Sequence, residues 1–348
     1  MAQTYSLKLG TIGLPEAGKT IWHTVLYGRQ AHFDGVLFRY LDSPTIRYLN
    51  PMWEALDRGN LPDATGLARP SELKFQMHTE DASGNVLISY AIHTMDYAGI
   101  LVNRGASEDT IKQARELGLE QFIDECDLLM VMVDLSDDSQ AVNQLNTLDY
   151  ILQRCKETST QHGSKNRPVA VAFTKVDQVF SQHMNSNLIE MQSVLLEYLS
   201  SKDRWRGMHR ALRALKDYNL YEVFPVSCFG TSCAPGQNVP TAGTINPKWI
   251  HEPLIWGLPR AAELANQAIT EQQDEVRRIE KIAKDAENNE FNTQVTLAIL
   301  CITLGAIIGY FIGWGIGFVL PYILTGLACM IPLALVAIPL LVAADKAR

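Results

Sequence analysis

"GLPEAGKT", residues 13 to 20, decides how this chain is read. Gly13 and Gly18 bracket four residues, and Lys19 and Thr20 follow at once. Such a string is a phosphate cradle only when a strand precedes it and a helix follows. "YSLKLGTI" (5–12) supplies an alternating strand over Ser6–Ile12, and "TIWHTVLYG" (20–28) opens a helix with Gly28 at its end. In that setting the backbone N–H groups between Leu14 and Thr20 would wrap phosphates at a helix N-terminus. Lys19 would reach the β- and γ-phosphates, and the Thr20 hydroxyl would ligate Mg²⁺. The candidate loop residues are Gly13, Glu16, Ala17, Gly18, Lys19, Thr20 and Ile21.

Further stations follow in order. "SYAIHTMDYAGI" (89–100) is an alternating strand that ends in Asp96, with Gly99 three residues on. A carboxylate at a strand tip can hold Mg²⁺ through water, and the glycine N–H can face a γ-phosphate. "PVAVAFTKVD" (168–177) reads as a buried strand ending in Thr174, Lys175 and Asp177. The Asp177 carboxylate can accept from the N1–H and N2–H₂ edge of guanine, which adenine lacks, while the Lys175 stem lies along the base. "EVFPVSC" (222–228) ends at Ser227 and Cys228, whose backbone N–H groups could meet guanine O6. Each string alone is weak, and a lone one is usually a solvated turn. Four in order, each at the carboxyl tip of a predicted strand, are strong evidence for a guanine-nucleotide site.

On these motifs the sequence resembles the P-loop GTPase superfamily, in its translation-factor-like and Ras-like branch, over roughly residues 5–258. "GLPEAGKT", "GNLPDATGL" (59–67) and "HEPLIWGL" (251–258) are similar to bacterial double-GTPase-type domains from gene clusters that resemble conflict or defence systems. The resemblance implies GTP/GDP and Mg²⁺ as cofactors, with Thr20, Thr65 and Asp96 at the metal. Thr65 is chosen as the switch threonine because the hairpin 72–90 begins shortly after it. Thr45 is the alternative, but "SPTIRYLNPMWEAL" (43–56) has apolar residues at helical spacing and reads as an inserted helix.

Two departures matter. Ile100 follows Gly99 where many relatives carry a water-orienting glutamine, and an isoleucine cannot hydrogen-bond water. Hydrolysis is therefore expected to be slow or assisted by Asn103, Arg104, Arg69 or a partner protein; an arginine at the transferring phosphate is worth about 10³–10⁵ in rate. For Arg69 and Arg104, plain surface charge is the blander reading. Pro15 also replaces a small residue and would tighten the loop. Asp134 in "LLMVMVDLSDD" (128–138) sits at the tip of a central strand, but Asp137 and Asp138 beside it suggest a solvated turn, and His23 and His93 read as structural. No Ser/His/Asp or Cys/His constellation stands out.

A net charge of −8 argues against nucleic acid as the main partner. The six cysteines have no metal-ligand spacing and read as reduced thiols. The front of the chain shows no basic-then-apolar leader. Its back differs: Val295 to Ala344 is 50 residues without Asp, Glu, Lys, Arg, His, Asn or Gln. A bilayer core takes ~20 helical residues, so two crossings fit, near Val295–Gly317 and Leu320–Ala344. Arg277, Arg278, Lys281 and Lys284 before this stretch, and Lys346 and Arg348 after it, put both ends on the cytoplasmic side of a membrane hairpin. Gly305, Gly309, Gly313 and Gly317, each four apart, would let another backbone pack closely. Residues 259–293 are rich in helix formers and read as a stem, either a solvated stalk or a self-association surface.

The expected fold is α/β: a P-loop GTPase domain (1–258) on a mostly parallel sheet with one antiparallel hairpin strand, a helical stem (259–293) and a transmembrane hairpin (294–348). The expected function is a membrane-anchored GTP/GDP switch with an unknown protein effector or activator and possible homo-oligomers. A nucleotide-gated membrane-disrupting effector and a non-hydrolysing scaffold are the alternatives.

Overall fold

The computed structural model describes residues 3–29, 32–33, 36–40, 42–63, 71–81, 83–96, 108–109, 112, 116–161, 167–215, 220–233, 239–287, 300–305 and 307. The chain divides into two compact units, Met1–Asn266 and Gln267–Arg348.

The first unit is built on one eight-stranded sheet. β1 (Gln3–Gly13) lies between β5 (Val86–Asp96) and β6 (Leu128–Asp134), and β7 (Val169–Thr174) and β8 (Tyr221–Pro225) continue outward from β6. All these pairings are parallel, so five strands end at one edge of the sheet. On the far side of β5, β4 (Ser71–Glu80) is antiparallel, as the hairpin pattern predicts. The sheet then runs two strands further than predicted, through β3 (Val36–Tyr40) and β2 (His32–Phe33), each antiparallel to its neighbour. These strands are five and two residues long, too short for an alternating pattern to stand out.

The central strands are buried on both faces, which is why they read as apolar runs. Leu129, Val131 and Val133 of β6 and Val171 and Phe173 of β7 pack on one side with Leu148 of α4 (Ala141–Gln161), Leu195 of α6 (Leu188–Ser201) and Leu212 of α7 (Arg206–Leu215). The alternate residues, Met130, Met132, Ala170 and Ala172, pack with Trp22 and Leu26 of α1 (Lys19–Gly28) and with Leu254 and Leu258 of α8 (Glu252–Glu287). Two short helices, α3 (Leu119–Glu125) and α5 (Val176–Val179), follow the β5 and β7 tips. Each fully buried large aliphatic side chain contributes roughly 1.5–3 kcal/mol, so the two half-cores hold the sheet from both sides.

α2 (Ser43–Asp57) is the inserted helix that the apolar spacing predicts. The Asp42 carboxylate caps it by accepting from Thr45 N at 2.8 Å, with proline in its first turn. The buried Thr45 hydroxyl accepts from Lys74 N at 3.0 Å, which pins the helix to β4. Tyr27 of α1 donates to Asn50 at 3.1 Å, and Leu49 and Leu56 are fully buried.

α8 begins seven residues before the stem boundary drawn at Pro259, and Pro259 lies inside it. A proline there removes one helical hydrogen bond. Burial of Leu254, Leu258, Ala261 and Ala262 on the sheet outweighs that loss. At the other flank β8 is an edge strand, yet its outer backbone is covered. Gln192 Nε2 donates to Val223 O at 2.7 Å, Val223 N donates to Glu222 Oε1 at 3.2 Å, and Pro225 has no N–H.

Among the described residues no helix is long and apolar enough to cross a membrane. The hairpin read over 294–348 lies outside the described residues except for 300–305 and 307.

Candidate functional site

The parallel strands β5, β1, β6, β7 and β8 point their carboxyl ends the same way. β1 lies where the strand order reverses, the place where a crevice opens in such sheets. The phosphate-loop string fills the turn from β1 into α1. A Cβ on Gly13 would stand 2.7 Å from the Met132 carbonyl oxygen, so only glycine lets the β1 tip lie this close to β6. Glu16 and Gly18 take left-handed conformations, with φ of 63° and 87°. Left-handed residues in a tight turn form the backbone concavities that bind anions. Lys19 is buried, and its ammonium donates to Gly13 O at 2.9 Å and Leu14 O at 3.1 Å. Burial lowers its pKa to about 8, opposed by the Asp96 charge. The ammonium is held over the loop at a place where a polyphosphate would hold its proton more firmly.

Asp96 ends β5 and is almost fully buried. Thr20 Oγ1 donates to its Oδ1 at 3.2 Å, and Tyr48 of α2 donates to its Oδ2 at 2.9 Å. A hydroxyl beside a carboxylate is a hard-oxygen pair suited to Mg²⁺, which takes few protein ligands and keeps waters and phosphate oxygens. The residues present fit that ion. No cluster of three or more His, Cys, Asp or Glu appears among the described residues, and none is needed for such a site.

The β7 tip carries the remaining group. Thr174 Oγ1 donates to Ala17 O at 2.9 Å and so braces the phosphate loop. Lys175 takes a left-handed conformation (φ 56°) and opens the short helix α5. Asp177 is buried, and its Oδ1 accepts from the Ser227 hydroxyl, which in turn accepts from Gly230 N at 2.7 Å. Burial pushes the Asp177 carboxyl above the usual aspartate range, against the Ser227 hydrogen bond and the Lys175 charge. Two N–H donors from a ligand would offset that burial. Burial also raises the Cys228 thiol well above its usual value, and Cys233 to about 11, so both are neutral.

Asp134 corrects the sequence reading. It is not part of a solvated turn: it is buried at the β6 tip, paired in register with Thr174. Its Oδ2 accepts from Lys175 Nζ at 2.6 Å, and its Oδ1 accepts from Ser136 N and Oγ. Gln144 brackets its backbone by accepting from Asp134 N and donating to Asp134 O. The neighbouring acids do other work: Asp137 caps a turn at Ser139 N, and Asp138 accepts from Trp205 Nε1. The available sign was that Asp134 ends a run buried on both faces, as Thr174 does.

The structure thus gathers Gly13, Glu16, Ala17, Gly18, Lys19, Thr20, Asp96, Thr174, Lys175, Asp177 and Ser227 at one sheet edge, with Ile21 and Cys228 half-buried beside them. The Ser227 N–H expected at guanine O6 instead donates to Lys248 O at 3.0 Å, so Ser227 serves the site through its hydroxyl on Asp177. Thr65, Arg69, Gly99 and Asn103, together with Ile100 and Arg104, lie outside the described residues. Thr45, the alternative switch threonine, is occupied in anchoring α2.

His23 is fully buried in α1, and neither ring nitrogen finds a partner among the described residues. Burial lowers its pKa to about 4 from 6.5, with Lys19 adding to the effect and Asp96 opposing it. Between these values the unfolded chain binds the proton and the folded one does not, so stability rises with pH across that window. Acidification from pH 6.5 to 4 therefore removes up to about 3 kcal/mol at this residue. His23→Leu is expected to weaken that acid dependence and to stabilise the protein at pH 7 by about 1 kcal/mol or more, because an orphaned buried polar group is removed. Urea unfolding of both forms at pH 7 and 5 measures this, and parallel pH dependences would count against it.

No protein-family model matches the sequence, and no curated protein matches it. Among solved structures, the chain is similar to the Arl6 BBS3 small GTPase from Trypanosoma brucei with bound nucleotide analogue GppNp. The identity is 13% and the TM-score 0.36, over 74% of this chain and 99% of that one. At that TM-score the likeness decides nothing; the strand tips and their side chains do.

Proposed function

We propose that the chain binds a guanine nucleotide with Mg²⁺ and works as a membrane-anchored GTP/GDP switch. The observation that carries this is the Thr174 brace. Its hydroxyl joins the loop bearing Asp177 to the loop bearing Lys19, so a base reader and a phosphate grip form one wall. Lys19 holds the β- and γ-phosphates, and backbone N–H groups of the loop around Gly18 take the remaining phosphate oxygens. Asp177 accepts from the guanine N1–H and N2–H₂ edge. Thr20 and, through water, Asp96 hold Mg²⁺, which neutralises phosphate charge when bound. Thr65 and Gly99 are assigned to the γ-phosphate and signal its presence by ordering their segments.

Hydrolysis is assigned as slow or partner-assisted, because Ile100 offers the attacking water no hydrogen bond. Arg69 and Asn103 are the candidates within the chain, and an activating protein is the candidate outside it. The same isoleucine favours a second reading, a scaffold that binds nucleotide without turnover, and phosphate release with and without partner proteins separates the two. The apolar stretch 295–344 anchors the switch to a bilayer as a hairpin with both ends cytoplasmic.

Equilibrium binding of GTP, GDP and ATP to the full chain in detergent tests the core of this. GTP and GDP are expected to bind at least about 100-fold more tightly than ATP, because adenine lacks the donors Asp177 needs. Equal affinity for ATP and GTP would refute the base assignment.

A further inference from the structure

The inserted helix α2 is not needed by any of the phosphate, metal or base stations, yet it reaches one of them. We propose that Tyr48 is the positioning residue that aims the Asp96 carboxylate at a Mg²⁺-bound water, an inference that rests on the metal station proposed above. The phenol donates to Asp96 Oδ2 at 2.9 Å, while Oδ1 faces the Thr20 hydroxyl at 3.2 Å. The two oxygens of one buried carboxylate are thereby given different work. Tyr48 holds the outer one, and the inner one stays turned toward the hydroxyl that would share the metal. The Tyr48 bond restrains the terminal torsion of the carboxylate, which is broad and roughly two-fold for aspartate.

The rest of α2 is fixed without this hydroxyl. The Asp42 cap, the Thr45 bond to Lys74 N, the Tyr27–Asn50 bond and buried Leu49 and Leu56 all act elsewhere along the helix. Tyr48 itself is half-buried, so a phenylalanine ring fills the same space. The phenolic O–H is therefore separable from the packing of the helix, and its bond to Asp96 acts on the carboxylate. Groups that orient a metal's ligand from behind are commonly worth 10–100-fold in metal affinity, and that is the order expected here.

The test uses the full chain in detergent with fluorescent GDP, titrated with Mg²⁺ from an EDTA-treated start. Tyr48→Phe is expected to need about 10–100-fold more Mg²⁺ to slow nucleotide release by half. Its GDP affinity in EDTA is expected to stay close to wild type, while its melting midpoint without nucleotide falls modestly because a buried carboxylate oxygen loses a donor. In an Asp96→Ala background the same change is expected to cost nothing further, since the carboxylate it orients is gone. An unchanged or lower Mg²⁺ requirement for Tyr48→Phe overturns the proposal, as does an equal penalty in the Asp96→Ala background. Wild-type protein that binds no GDP fails the nucleotide reading itself, and Tyr48 with it. Wild-type protein that binds GDP with Mg²⁺ dependence while Tyr48→Phe behaves identically fails Tyr48 alone.

Discussion

Lys19→Ala is expected to weaken GTP and GDP binding by at least about 30-fold, the largest loss from any single change in the phosphate loop. The ammonium is buried and holds its proton less firmly than a free lysine, with its pKa lowered to about 8. A polyphosphate placed against it raises that pKa again and gains charge-assisted hydrogen bonds in a water-poor site. Removing one partner of such a buried pair costs about 2–5 kcal/mol, and each 1.4 kcal/mol is a factor of ten. A second signature distinguishes this from a loop that has merely loosened. Below pH 8 Lys19 is protonated in both the free and the bound protein, so binding takes up no proton there. Above pH 8 the free protein has partly lost that proton and the bound form regains it. Wild-type affinity should therefore fall as pH rises above about 8. The calorimetric enthalpy should depend on the buffer at pH 9, where the phosphates are fully ionised and the proton taken up is the lysine's. The alanine variant should lose both effects along with its affinity. If it binds GTP as well as wild type does, the loop is not a phosphate grip.

Asp177→Asn is expected to reverse base preference from guanine to xanthine. The carboxylate offers two acceptors, matching the two donors on guanine. An amide offers one acceptor and one donor. Ser227 decides which end goes where. Its oxygen accepts from Gly230 N, so its own proton points at Oδ1 of residue 177. That proton keeps the amide oxygen on its side and leaves the amino end for the ligand. A guanine amino group then meets another donor, whereas a xanthine carbonyl meets a partner. An unpaired buried donor costs about 1–3 kcal/mol, so roughly 10–100-fold should be lost for GTP. Competition between GTP and XTP for each variant measures the reversal. Unchanged preference would move the base to another wall of the crevice.

These two side chains were legible for different reasons. Lys19 was marked by its Gly-x4-Gly-Lys-Thr spacing between an alternating strand and a helix. Strands buried on both faces leave long apolar runs whose last residues mark the sheet edge, and Asp177 sits just past such a run. Asp134 also ends one, but its meaning depends on Lys175, 41 residues later. Its acidic neighbours outweighed its strand-tip position and invited the solvent reading, and the tertiary pairing separates the three aspartates. Tyr48 was illegible for a related reason. It sits on a helix whose apolar spacing predicts packing alone, and its partner Asp96 is 48 residues away. The α8 start was hidden by Pro259, because a proline's local cost is visible in sequence and the burial that overrides it is not. β2 and β3 were too brief to show a period at all.

The covering of Val223 by Gln192 and Glu222 has a consequence for how copies of this protein meet. An open strand margin invites a stranger's backbone to continue the ladder, which is a common route to fibres and clumps. Here two borrowed side chains and a proline occupy that margin. Two copies meeting at this margin can therefore touch through side chains without continuing one sheet into the other.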